Sequence, residues 1–296
     1  MNTIRISTPG KWILLGEHSV IRERPALVFP LTSRSLELRF TPQSGITPIP
    51  SGPWKAPFEI AQTRLATFLR EQGRELCFPE GRIEIESNLP MAAGLGSSAA
   101  LAVAVARLAM HFGLLEENFL FAASLAIEDG FHGKSSGMDI AAVIAASPLL
   151  FQRGREPQKL GLAWQPKIFL CDSGERSSTS SSVARVENLR LVDEKKFLSL
   201  DENMAAAVEM ARAALAKKEN ESFARLAHAI EMGAHSFREW DLISEKIDDK
   251  INFLRAEGAH AVKPTGSGGG GFILSLWKDD PPARLLENLF PLVPAF

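Results

Sequence analysis

The stretch NLPMAAGLGSSAALAVAVARL, Asn88 to Leu108, restricts the fold of this chain more than any other. A loop carrying Pro90, Gly94 and Gly96 ends in Ser97 and Ser98, and a long run of small apolar residues follows at once. A helix with almost no polar face has to be buried. Its start exposes backbone N–H groups and the positive end of the helix dipole. Glycines let backbone approach a ligand without a Cβ in the way. Two readings follow: a tight, serine-capped turn before a buried helix, or an anion cradle of the kind that holds phosphate. The rest of the sequence has to choose between them.

Composition sets outer limits. A chain of 296 residues can form two modest domains or one large one, and 45% apolar residues suffice for real cores. A formal net charge of -2 gives no basis for a nucleic-acid or anionic-membrane partner. Cys77 and Cys171 are far apart and in no C-x-x-C, which argues against a disulfide framework or zinc site and fits a reducing cytoplasm. The opening MNTIRISTPGKW lacks a basic-then-apolar signal pattern. The most apolar run, Ala99 to Met110, is broken by Arg107 and is too short to span a bilayer.

Periodicity supplies a coarse α+β layout. Thr3 to Ser7 alternates like a strand that Pro9-Gly10 then turns, and Trp12 to Leu15 is a second apolar run. Ala26 to Leu31, Ser35 to Phe40 and Arg82 to Ser87 read as further strands, with a loop over Thr41 to Pro57 and helical spacing from Phe58 to Leu69. Helices are expected over the opening stretch to near Gly113, Asn118 to Gly130 and Ser136 to Ala146. Leu149 to Gln152, Lys159 to Trp164 and Lys167 to Asp172 read as strands, with a domain boundary near Gln165-Pro166. Long helical patterns follow over Glu194–Lys217, Glu221–Trp240 and Leu242–Glu257. The strands His260–Lys263 and Gly271–Trp277 flank the glycine run GSGGGG.

Four constellations could carry chemistry. PGKWILLGEHSV, Pro9 to Val20, places Lys11, Glu17 and His18 on loops flanking an apolar run. The opening stretch is the second. In IEDGFHGKSSGMDIAAV, Asp139 stands among small apolar residues, where an acid is costly without a partner or a task. KPTGSGGGGFILSL has apolar, strand-like flanks, so its glycines read as a close-approach loop rather than a linker. Neither glycine run contains G-x-x-x-x-G-K-[ST], GLGSSA is not a dinucleotide G-x-G-x-x-G, and the six histidines form no metal pair. A magnesium ion carried with a nucleotide needs only one or two protein ligands, which Glu128 and a serine of Ser97-Ser98 could supply.

In this order the four stretches resemble the GHMP kinases, small-molecule kinases that act on galactose, homoserine, mevalonate and phosphomevalonate. PMAAGLGSSAA is similar to their P-x-x-x-G-L-x-S-S-A, and KPTGSGGGGFILSL to their third motif, with Ser267 where Ala is common. Within the family the first motif is most similar to the mevalonate kinase pattern P-G-K-[VI]-I-L-x-G-E-H-A-V. The catalytic segment keeps the Glu, His-Gly, Ser-Gly and Asp of E-x-x-x-H-G-x-P-S-G-x-D-N, but Ser135 replaces Pro and Ile140 replaces Asn. SGMDIAA leans toward the phosphomevalonate kinases, which usually carry Tyr in place of His18.

The resemblance implies a two-domain GHMP kinase fold: an ATP-binding, ribosomal-protein-S5-like domain over 1–165 and a ferredoxin-like domain over 166–296. It implies ATP and Mg²⁺ as cofactors. Pro90, Ala93, Gly94, Leu95, Gly96, Ser97, Ser98 and Ala99 would wrap the phosphates. Ser98 and Glu128 would hold the metal. Asp139 would orient the acceptor hydroxyl, with Lys11 beside it and the transferring phosphoryl. Glu17, His18 and Thr179 would line the acceptor pocket, and Gly266, Ser267 and Gly268 would pack near the phosphate loop. The expected acceptor is the primary hydroxyl of mevalonate, in a monomer or homodimer that binds neither nucleic acid nor membrane. Phosphomevalonate is the alternative, with Arg22, Arg24 and Lys134 as cations for its phosphate. A catalytically inactive ligand sensor is the reading from another class.

Overall fold

Pro9-Gly10 does not turn the chain: strand β1 runs unbroken over Ile4–Leu15. A Cβ on Gly10 would lie 2.4 Å from Leu89 Cδ2 and 2.8 Å from the Leu95 carbonyl. The glycine therefore admits a neighbouring loop to the strand instead of bending it. In the same way the two strands read from 26–31 and 35–40 are one, β2 (Ala26–Pro42). Its polar middle is exposed, which interrupts the burial pattern but not the extended backbone.

The structure, a computed structural model, describes residues 2–91 and 93–292. After β2 come α1 (Lys55–Arg70), β3 (Gly81–Ser87), α2 (Ser97–His111), α3 (Leu120–His132) and α4 (Met138–Ala145). The strands β4 (Leu149–Phe151), β5 (Gln158–Lys159) and β6 (Lys167–Asp172) precede four helices, α5 (Thr179–Val192), α6 (Glu194–Leu215), α7 (Ser222–Glu239) and α8 (Glu245–Ala256). The strands β7 (Ala261–Thr265), β8 (Phe272–Trp277) and β9 (Leu289–Leu292) complete the order. Two compact units result. One comprises Met1–Lys11, Leu31–Met91 and Leu95–Ala146; the other comprises Trp12–Pro30, Ala92–Gly94 and Ser147–Phe296.

In the first unit β3 pairs antiparallel with β2, Leu36 opposite Ser87 through Pro42 opposite Gly81. The core is α2, in which every side chain from Ala99 to Ala106 has 0% exposure. Its neighbours are α1, α3 and α4. Small side chains make this possible, because they let backbones approach closely without leaving voids. Thr8 of β1 donates from Oγ1 to the Ala100 carbonyl of α2 at 3.0 Å, fastening strand to helix.

In the second unit an antiparallel sheet has the order β7-β8-β6-β9. Ile247, Ile251 and Leu254 of α8 share one core with Phe169, Val262, Ile273 and Trp277 of the sheet. The expected strand over 159–164 is confined to Gln158–Lys159. Beyond it, Ala163 N and Trp164 Nε1 donate to the carbonyls of Leu215 and Ala214 at the end of α6, at 2.9 and 2.8 Å, so this segment serves a helix end and not a sheet. The serine-rich run SSTSSS, Ser177 to Ser182, leads into α5, with Ser178 as a cap that accepts from the Ser181 N–H. Strand β9, without a sequence signal, carries Pro291 at the sheet edge. Among the described residues no helix is long and apolar enough to cross a membrane.

Candidate active site

The GLGSSA stretch enters α2 through a glycine cap. Gly96 holds φ at 78° in the N-cap position, and no side chain caps the helix. The serine-capped turn is therefore not what forms. The first-turn N–H groups, on Ser97, Ser98 and Ala99, have no capping side chain and present the positive helix end to whatever anion lies there. Leu95 and Ala99 are buried, so anything they offer a ligand comes from backbone. Pro90 is half-buried in the loop before them.

Gly96 has a second reason to be glycine. A Cβ there would lie 2.7 Å from Lys11 Cγ. The Lys11 backbone N–H donates to the Leu95 carbonyl at 3.0 Å, and its stem runs under the cap. Its ammonium ends 2.8 Å from Asp139 Oδ2. Asp139 stands in the first turn of α4, which is again capped by a left-handed glycine, Gly137 at φ 84°. Two glycine-capped helix starts and one lysine thus belong to a single unit.

Beside them, Ser98 Oγ donates to Glu128 Oε1 at 3.0 Å and lies 3.0 Å from His132 Nε2. Glu128 and His132 share a face of α3 at i, i+4 spacing, 3.5 Å apart. Glu128 is 3% exposed. Burial, assisted by the nearby Asp139 carboxylate, pushes its carboxyl up to about 8. Burial likewise lowers the His132 pKa. Ser135, where the family usually has proline, donates from both N–H and Oγ to Asp129 Oδ1, at 2.7 and 2.6 Å. A proline could give neither bond, so the departure carries its own tether for the loop before Asp139.

A divalent cation can be tested against these residues. Glu128 Oε2 is buried and has no hydrogen-bond partner among the described residues. A buried carboxyl with one oxygen on a serine hydroxyl and the other unsatisfied is, once ionised, a donor set for a hard cation. No group of three or more His, Cys, Asp or Glu that could hold a metal occurs among the described residues. Such a cation would draw its other ligands from phosphate oxygens and water, as magnesium does.

In the second unit the glycine run joins β7 to β8 with five left-handed glycines, Gly266 and Gly268 to Gly271. A Cβ on Gly266 would lie 3.6 Å from Gly94 Cα, and one on Gly271 would lie 3.0 Å from the Ala93 carbonyl. The run is therefore close-packed against Ala93-Gly94 and is no linker. Ser182 of α5 donates to the Gly268 carbonyl at 3.1 Å. Thr179, one helical turn earlier, is exposed.

Glu17 and His18 are both buried here. Lys263 Nζ donates to Glu17 Oε1 at 2.6 Å, with side-chain exposures of 0% and 2%. The same ammonium lies 5.0 Å from the centre of the Phe237 ring. His18 holds φ at 60°, its Nε2 is 2.8 Å from the Ser267 carbonyl, and its ring meets Phe237 and Trp240 edge-on. Burial lowers its pKa to about 4, so the imidazole is neutral and donates its Nε2–H to that carbonyl. The sequence reading gave Lys263 no role. The available signal was a lysine inside an otherwise apolar strand.

Arg22, just after the first motif, is also engaged. Arg22 binds both Asp201 oxygens, at 2.5 and 2.6 Å, and lies 4.5 Å from the centre of the Phe197 ring. It is neither a solvated side chain nor a cation awaiting a phosphate. Asp201, 2% exposed, was missed because its helix reads as polar at that point, although it falls one turn after the buried Phe197. Lys134 is exposed.

With this geometry in hand, comparisons with known proteins are specific. The family model of the GHMP kinases N terminal domain matches residues 61–147, and that of the GHMP kinases C terminal domain matches 211–291. A curated mevalonate kinase of Archaeoglobus fulgidus is 31% identical over 93% of this chain and 93% of its own length. The crystal structure of Methanococcus jannaschii mevalonate kinase superimposes with a TM-score of 0.77 at 17% identity, covering 99% of this chain and 98% of that one. L. major mevalonate kinase in complex with R-mevalonate superimposes with a TM-score of 0.74 at 23% identity, covering 94% and 88%. The structural likenesses speak for the fold.

Proposed function

The chain belongs to the GHMP kinase family, among its mevalonate kinases, and on that premise we propose that it phosphorylates the primary hydroxyl of mevalonate with ATP, giving 5-phosphomevalonate and ADP. The observation that carries the reading is the Lys11–Asp139 pair beside the glycine-capped start of α2. Phosphoryl transfer to an alcohol needs a held triphosphate, neutralised charge and an oriented hydroxyl.

Residues 94–98 hold the phosphates through backbone N–H groups and the helix start. Ser98 and Glu128 would hold Mg²⁺, which would supply neutralisation of the charge on the phosphates. Asp139 accepts a hydrogen bond from the acceptor hydroxyl and orients it for attack, taking its proton as the new bond forms. Lys11 holds Asp139 in place and stabilises the charge that develops on the transferring group. Glu17 and His18 belong to the acceptor side, where Lys263 and the Ser267 carbonyl fix their positions.

The names of the sequence relatives favour mevalonate as acceptor. The engagement of Arg22 by Asp201 supports the same choice, since a phosphorylated acceptor needs cationic donors of its own. The test is ADP release with mevalonate, phosphomevalonate, homoserine and galactose offered separately. Mevalonate should give the highest kcat/KM. A value for phosphomevalonate about tenfold higher would overturn the assignment.

A further inference from the structure

The Ser98 hydroxyl has two neighbours at equal distance, Glu128 Oε1 and His132 Nε2, each at 3.0 Å. A hydroxyl has one proton to give and two lone pairs. Its role as a cation ligand, which rests on the function proposed above, makes new demands on that inventory. An oxygen that shares electrons with a cation becomes a stronger donor and a poorer acceptor. The contact with His132 then persists through metal loading only if the imidazole nitrogen is the acceptor. Glu128, whose second oxygen is buried without a hydrogen-bond partner, is in turn released to face the cation.

We propose that His132 is a positioning residue for the cation site: its Nε2 accepts the Ser98 hydroxyl proton and so turns an oxygen lone pair toward the divalent cation carried with the nucleotide. The imidazole does this as the Nδ1–H tautomer. It occupies the last position of α3, one helical turn after Glu128, and keeps 38% of its side-chain surface exposed. Replacing it therefore leaves the core of the unit intact. Groups that orient a metal ligand from outside the coordination sphere commonly change metal affinity by about 10–100-fold.

The experiment uses the full chain and reads binding instead of turnover. ADP affinity is measured by calorimetry without Mg²⁺ and at saturating Mg²⁺, and the ratio of the two Kd values reports the coupling. His132→Phe should lose about tenfold or more of that ratio while leaving the Mg²⁺-free affinity unchanged. His132→Gln, whose side-chain carbonyl can accept the same proton, should restore most of it. Nitrogen NMR of His132 in the Mg·ADP complex should show Nε2 unprotonated. A coupling ratio in His132→Phe within about twofold of wild type, or a protonated Nε2 in the complex, would overturn the proposal. If wild-type ADP binding ignores Mg²⁺ altogether, the nucleotide–metal reading of the site falls and takes this proposal with it. Intact wild-type coupling with an unaffected Phe variant removes the proposal alone.

Discussion

Lys11 Nζ lies 2.8 Å from Asp139 Oδ2, an ammonium with 4% side-chain exposure against a carboxylate with 29%. The asymmetry has a consequence. The lysine is held from below by the strand and by the glycine cap of α2, while the acid keeps an open side that a substrate hydroxyl can meet. An acid placed this way at a helix start, beside a fixed cation, can orient a proton donor, the role proposed for it above.

Asp139→Asn should therefore lower kcat by about a hundredfold or more, with ATP affinity nearly unchanged. Steady-state kinetics and nucleotide calorimetry on the same preparation decide it. Normal turnover in a folded variant would remove Asp139 from the mechanism.

Glu128→Gln keeps the shape of the buried side chain but can supply no carboxylate to a cation. The variant should need more Mg²⁺ for half-maximal rate and bind MgATP more weakly. An unchanged Mg²⁺ titration would make Glu128 a structural residue only.

Gly96→Ala and Gly113→Ala separate strain from crowding. Both glycines have positive φ, 78° and 69°, but only Gly96 faces another residue, Lys11, while nothing lies within 4 Å at Gly113. Gly113→Ala should cost about 1–2 kcal/mol for the left-handed conformation alone. Gly96→Ala should cost more and lower kcat, because Lys11 must move. Equal losses in chemical denaturation together with normal turnover would rule out the close approach as the reason for this glycine.

The Glu17–Lys263 pair is buried on both sides. Lys263→Met should destabilise the protein by about 3–5 kcal/mol, since it leaves a buried carboxylate without its cation. The double variant Glu17→Gln, Lys263→Met should recover part of that loss. Chemical denaturation of the two single variants and the double closes the cycle; additive losses would deny the coupling.

His18 sets a pH dependence of stability. Its pKa falls from 6.5 to about 4 on burial, so the unfolded chain takes up a proton that the folded chain refuses. The stability present above 6.5 is lost as pH drops toward 4, to a limit of about 3 kcal/mol. Denaturation midpoints measured from pH 7 to 4 should show this slope in wild type and a shallower one in His18→Gln. Equal slopes would mean that His18 does not carry it.

Particular residues show how far the sequence reached. The GLGSSA loop and its apolar helix were readable because small residues in an uninterrupted run admit only a buried helix, and adjacent glycines mark where backbone must come close. Asp139 was readable for a related reason: an acid among MDIAAVIAA needs a partner. The α+β class followed from period alone. Pro9-Gly10 misled because glycine serves both turning and close packing, and the two uses look alike until the neighbour is known. Leu89 and the Leu95 carbonyl, some eighty residues away, decided which it was.

By itself the sequence determined which segments are helix and which are strand over most of the chain, and which residue types are available for phosphate, metal and acid–base work, because both depend on local period and local chemistry. Only the tertiary structure decided who meets whom. That Lys11 pairs with Asp139, that Lys263 and not solvent faces Glu17, that Asp201 claims Arg22, and that His132 stands over Ser98 are relations between residues 34 to 246 positions apart. No periodicity encodes them; they exist because buried charges and hydroxyls must find partners once packing has removed water.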